Sequence, residues 1–174
     1  MLNSSVKALM DLFPQHVPVD PEGCSAILEN FLLGAWIVRI EYLRTGWITT
    51  FCIPETGKYA QTGLVGFPYE VTLHAADLRS SRNASSSPED DAVTAFALFS
   101  AVPHKVVGVS VVDGSSLAIA FESGQSIVVL GVCDPVDEVW TLGPATHPGQ
   151  TRGFGGPAFV QSYFGDLSAD PRLL

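Results

Sequence analysis

A mainly β, α+β fold is what this sequence predicts. It should be an antiparallel sheet made of two similar hairpin units, curved or folded into a sandwich or partial barrel, with a few short helices. Three observations predict it. Apolar residues alternate with polar ones through 36–53, 69–78 and 106–142, the period of a strand with one buried face. Asp113-Gly114 and Ser123-Gly124 sit between such runs, where a tight turn needs residues that tolerate positive φ. The 16 glycines and 12 prolines, too many for long helices, punctuate the chain at short intervals.

Along the chain, "SSVKALMDLF" (4–13) reads as a short helix capped by Ser4 or Ser5, with Val6, Leu9 and Phe13 near one face and Pro14 ending it. "PQHVPVDPEG" is then an extended connection. In "CSAILENFLLG" the apolar residues Ile27, Leu28, Phe31 and Leu32 recur at helical spacing, and Gly34 closes the helix. From there the period becomes two. Trp36, Val38, Ile40 and Tyr42 alternate with Ile37, Arg39 and Glu41, and a break at Arg44-Thr45-Gly46 leads into Trp47–Ile53, giving a hairpin. "KYAQTGLVG" and "YEVTLHAADL" read as two further strands.

Serine-rich "RSSRNASSSPEDD" (79–91) reads as a mobile loop, and the alanine-rich run 92–102 favours a helix over a buried strand. "KVVGVSVVDGSSLAIAFESGQSIVVLGV" contains three strands. Its Val106-x-x-Val109 before Asp113-Gly114 echoes Ile37-x-x-Ile40 before Gly46. "DEVWTLG" is one more strand, for seven to nine in all. The expected organisation is an N-terminal helical segment and linker (1–33) and a β domain (34–142). The halves of that domain, 34–78 and 103–142, are joined by 79–102. An irregular tail (143–174) is anchored by Phe154, Phe159, Tyr163 and Phe164.

Composition narrows function. With 47% hydrophobic and only 16% charged residues, the chain is not disordered throughout. Eighteen acids against nine Lys and Arg give a net charge of −9, which repels nucleic-acid backbones and anionic membranes and attracts a basic protein. No cationic opening with an apolar run marks a secretory signal, and no apolar stretch is long enough for a bilayer. Cys24, Cys52 and Cys133 are far apart, unpaired by spacing, and suit a reducing cytoplasm.

The candidate sites are few. "DPVDEVW" concentrates Asp134, Asp137 and Glu138 ahead of Trp140. Asp137 and Glu138 are adjacent on a strand and point to opposite faces, which argues against joint acid–base work on one bond. A solvated strand entrance and a contact edge for a partner both remain open. Asp113 and Glu122, at turns, would extend such an edge, and Trp47, on a hairpin shoulder, is expected to be partly exposed and available to a partner. His16, His74, His104 and His147 are scattered without ligand spacing, so no metal or cofactor is expected. Ser110 lies inside a predicted strand, where exposure would be hard, and "RGFGGPAF" lacks the strand and helix that a phosphate cradle needs. Asp113, His104 and the 152–156 loop are the first suspects for a catalytic site assembled from distant loops.

The stretch "VVDGSSLAIAFESGQSIVVLG" followed by "DEVWTL" resembles the small acidic immunity proteins that bacteria encode beside toxins, and some bacterial β-rich domains of unknown function. That resemblance implies a non-enzymatic protein that neutralises a partner by tight binding. Two other classes remain: a curved sheet whose aromatics enclose an apolar small molecule, and a structural protein that self-associates through an unpaired edge strand.

Overall fold

The computed structural model describes residues 16–43, 46–54, 70–80, 88–132, 138–144, 159–163 and 165–174. Among these residues are eleven strands, two α-helices and a short 3-10 turn. The 4–13 helix, the "KYAQTGLVG" strand, Phe154, Phe164 and most of the serine-rich loop lie outside the described residues.

Helix α1 (Pro21–Leu32) starts where Asp20 caps it, its Oδ1 accepting from the Gly23 amide at 2.7 Å, with proline at the first helical position. Cys24, Ile27, Leu28, Phe31 and Leu32 are all buried, as their spacing requires. Gly34, at φ +77°, ends the helix and turns the chain into β2 (Trp36–Leu43). A hairpin leads to β3 (Gly46–Cys52), and β4 (Glu70–Ala75) pairs antiparallel with β3. A sharp corner gives β5 (Leu78–Ser80). Helix α2 (Pro88–Ala101) then precedes the meander β6 (Val106–Val112), β7 (Ser116–Phe121) and β8 (Ser126–Val129). The β6–β7 turn uses Asp113 and Gly114, both at positive φ. β9 (Glu138–Pro144), β10 (Val160–Tyr163) and β11 (Asp166–Ala169) follow, with the two-residue β1 (Val17–Pro18) at the margin beside β11.

Two open sheets result, neither closed into a barrel. One runs β1-β11-β10-β9-β4-β3-β2 and the other β5-β8-β7-β6. The expectation of two similar units has a structural counterpart. Each consists of a helix, a three-stranded meander and a fourth strand, and the fourth strands are exchanged. β5, which follows the first meander, pairs with β8, while β9, which follows the second, pairs with β4. Both meanders open on a strand with a register shift, at Val38 and at Val107, and both residues are exposed. The units meet where the Gly34 amide donates to the Val106 carbonyl at 2.9 Å and the Val106 amide to the Ala35 carbonyl at 2.8 Å.

One core joins the inner faces of both sheets to α1 and α2. Trp140, Phe51, Leu73, Phe121, Ile119 and Leu98 are among its members. Phe31 of α1 stacks on Phe159 at 4.9 Å and 3°, fixing the helix against the start of β10.

Four expectations need correcting. The tail is not irregular throughout, since β10 and β11 form a hairpin in it around Gly165. Tyr163, expected to anchor that tail, is 46% exposed at the hairpin turn. Strict alternation in β2 fails at the Val38 bulge, so Ile37, Ile40 and Tyr42 share the face of Trp47, Thr49 and Phe51, and Arg39 and Glu41 take the other. Ser110 is exposed on the outer face of β6.

Candidate functional site: an acidic rim at one end of the sheets

Four turn segments converge at one end of the molecule: the β6–β7 turn (113–115), the end of β8 (130–132), the start of β9, and the β10–β11 turn. Glycines make the approach possible. A Cβ at Gly131 would lie 2.2 Å from both the carbonyl carbon and the Oγ of Ser115, and one at Gly165 would lie 3.1 Å from Val132 Cγ2. Hydrogen bonds lock the segments together. Trp140 Nε1 donates to the Ser115 carbonyl at 2.9 Å, Ser162 Oγ to the Gly131 carbonyl at 3.0 Å, and the Gly131 amide to Ser116 Oγ at 3.0 Å. All these groups are buried, so each bond spares a desolvated polar atom.

On this frame sit exposed Asp113 and Asp166, exposed Val132, half-exposed Tyr163 and, paired with Tyr163 in register, the backbone of Glu138. Asp77 adjoins them, because its carbonyl accepts from the Leu130 amide at 3.0 Å. Its carboxylate is held by Arg79, at 2.6 Å from Nη2. Asp134 and Asp137 belong to segment 133–137, outside the described residues, whose two ends, Val132 and Glu138, both fall on this rim.

The rim gathers some of the residues expected from sequence and not others. Asp113 and Glu138 come to the same end. Glu122 does not: it lies across the length of β7, on the order of 20 Å away. There its Oε2 accepts from the Lys105 amide at 3.2 Å, closing the other end of the sheet. His104 is likewise separated from Asp113 by the whole of β6. Trp47 is only 6% exposed, a correction to the sequence reading. Gly46 brings the backbone against the Ala75 carbonyl, where a Cβ would come within 2.2 Å, and the Tyr42 ring packs on the indole at 4.7 Å, tilted by 52°. The ring at the surface on that shoulder is therefore Tyr42, 59% exposed. Asp166 and Tyr163 were missed because the tail was read as irregular. The signal was there in the alternation of Val160, Ser162, Leu167 and Ala169 about Gly165.

Away from the rim, the outer face of the seven-stranded sheet carries a polar band. Thr50 and Thr72 are buried and share a hydrogen bond at 3.3 Å. Next to them, burial pulls the His74 imidazole below its ordinary pKa, against the opposing pull of Glu41. Glu41 in turn stands 2.7 Å from Arg39 Nε. The thiols are quiescent: burial, with Asp20 adding to it, pushes Cys24 up to about 12, and burial and Glu70 raise Cys52. Cys133 lies outside the described residues. Among the described residues no three metal-ligating side chains gather, and no helix is long and apolar enough to cross a membrane. No protein-family model, no curated protein and no solved structure matches this chain.

Proposed function

We propose that this protein acts by binding a basic protein partner through the acidic rim, as an inhibitor of the immunity-protein type would. The carrying observation is the rigid convergence of Asp113, Asp166, Tyr163 and Val132 on a frame of buried hydrogen bonds. Carboxylates carried on a backbone held in this way speed encounter with a cationic surface. The exposed ring and the valine between them supply apolar contact area at little entropic cost.

The test compares wild type with Asp113→Lys/Asp166→Lys as immobilised baits in lysate of the source cells at low and moderate salt. A stoichiometric basic protein retained by wild type and lost with the double variant supports the reading. With that partner purified, the association rate should fall about tenfold or more in the variant and lose most of its salt dependence. Equal capture by a variant that melts like wild type would exclude the rim as the binding surface.

A further inference from the structure

Two open sheets have four outer edges, and three of these are protected. β5 is three residues long, and its Leu78 carbonyl accepts from Thr94 Oγ1 of α2 at 3.3 Å. β6 is lined by α1, with its Val111 amide donating to Ser25 Oγ at 2.8 Å. β1 has two residues, one of them Pro18, which offers no amide. β2 differs from all three. At eight residues it is the longest of the described strands, and no described helix lines it as α1 lines β6. Its approach is engaged, since the Ala35 carbonyl accepts from the Val106 amide. The bulges at Val38 and Val107 then turn β2 and β6 apart.

The ladder fixes which groups β2 presents beyond its bulge. The Ala76 amide donates to the Val139 carbonyl, so Ala75 and Trp140 form a non-hydrogen-bonded pair and the backbone of Ala75 points to β3. Carried through the register by alternation, Thr50 and Ile48 of β3 point to β2, and their partners Arg39 and Glu41 point back. The N–H and C=O of Ile40, between them, point away from β3 along the open edge. Arg39 Nε lies 2.7 Å from Glu41 Oε1, yet it is buried and makes no hydrogen bond among the described residues.

We propose that this edge pairs with the same edge of a second copy, antiparallel about Ile40, so that two seven-stranded sheets become one. A two-fold contact requires that residue i meet j while j meets i. "VRIEY", Val38–Tyr42, satisfies this about its centre. Ile40 meets the second copy's Ile40, and the two exchange a pair of backbone hydrogen bonds through groups that already point outward. Arg39 falls opposite the second copy's Glu41, and Glu41 opposite its Arg39. These are non-hydrogen-bonded positions, where Cα atoms stand ~4.5 Å apart and side chains lie closest. Along one strand the same two residues are ~7 Å apart. The second copy therefore brings Arg39 a nearer carboxylate than its own chain does. Val38, 45% exposed, falls opposite Tyr42, 59% exposed. Charges on an edge strand ordinarily repel another strand. Here there is one of each sign, in the order that makes a second copy attractive, and a chain of net charge −9 sets no acid against acid in this register.

The overlap is ~17 Å long and one sheet, ~10 Å, thick. It buries less than about 1,000 Å² in total, which makes a dimer of the weak, exchanging class. The contact lies three strands from β9, so the acidic rim takes no part in it.

Sedimentation equilibrium of the full chain from about 10 µM to 1 mM covers the range of such a dimer. Wild type should show a monomer–dimer equilibrium, and its Ile40 amide should exchange with solvent more slowly as concentration rises. Arg39→Glu sets like charges opposite each other at two places, as does Glu41→Arg, and each should raise the dissociation constant about tenfold or more. Both side chains are partly exposed, so the variants should melt within a few degrees of wild type. An equimolar mixture of the two variants pairs opposite charges again and should recover association as a heterodimer. A wild type that stays monomeric throughout overturns the proposal. So does an Ile40 amide indifferent to concentration, or a mixture that fails to recover. A dimer unaffected by Arg39→Glu overturns it too, and would move the contact to the exposed Phe96 and Phe99 of α2.

Discussion

Trp140→Phe tests how much one of the buried links between the two sheets contributes to holding the rim. The indole of Trp140 is fully buried on β9, and its Nε1 reaches the Ser115 carbonyl in the turn between β6 and β7. Phenylalanine keeps a ring in the site but removes about 50 Å² of buried apolar surface, ~1 kcal/mol at ~25 cal/mol per Å². It also deprives a buried carbonyl of this donor, for about 1–3 kcal/mol more. The sum is roughly 2–4 kcal/mol. For a chain of this size each kcal/mol is worth ~2–4 °C of melting temperature, so the midpoint should fall by about 5–15 °C. Urea denaturation supplies the free energy, with an unchanged m-value showing that the unfolded state is the same. Trp47→Phe is the control. It trims the same ring from the same core but leaves the Ser115 link intact, and should cost about 1 kcal/mol. If the two variants are equally stable, the indole link contributes nothing, and the turn is held by packing and the Ser116 and Ser162 hydrogen bonds.

Other expectations are simpler. Gly131→Ala forces a Cβ into the Ser115 backbone and should cost about 3 kcal/mol or more in a urea titration, because backbone and not a pliable side chain must yield. Acid should act in two steps. His74 is held neutral by burial, so stability declines as pH falls through about 6.5, the unfolded-state value, and His74→Gln should abolish that step. Asp170, buried and hydrogen-bonded by Arg172, has its carboxyl below the usual range. Its contribution is present above about pH 4 and is lost as pH falls through the lower folded value, a step that Asp170→Asn should remove. In thiol labelling near pH 8 followed by peptide mapping, Cys24 should react only on unfolding and Cys52 well before it. Fast labelling of Cys24 in the folded protein would contradict its burial.

Local signals in this chain were legible and distant ones were not. Ile27, Leu28, Phe31 and Leu32 specify α1 because helical spacing is set within a few residues. Asp113-Gly114 specifies its hairpin because the turn itself demands those residues. The partner of β9 was invisible: nothing in "DEVWTLG" distinguishes pairing with β4 from pairing with β8, since register depends on which inner face lacks cover. Trp47 was misread for a similar reason. Its burial depends on Ala75 and Tyr42, neither of which adjoins it in sequence. In α2 the all-round apolar character obscured helix against strand, and the same character is what leaves Phe96 and Phe99 outside.

The exchanged fourth strands also bear on how the protein is made. β4 emerges from the ribosome with one edge bonded to β3 and the other, presenting the backbone N–H and C=O groups of Thr72 and His74, waiting for β9. Roughly 60 residues separate the two, so at ~5–20 residues per second that edge stays open for about 3–12 s in every newly synthesised chain. During that interval the first meander of one nascent chain is a template for any passing strand, including the β9 of a neighbour on the same message. Slowing translation between Ala75 and Glu138 should therefore lower soluble yield, even though the mature fold is unchanged.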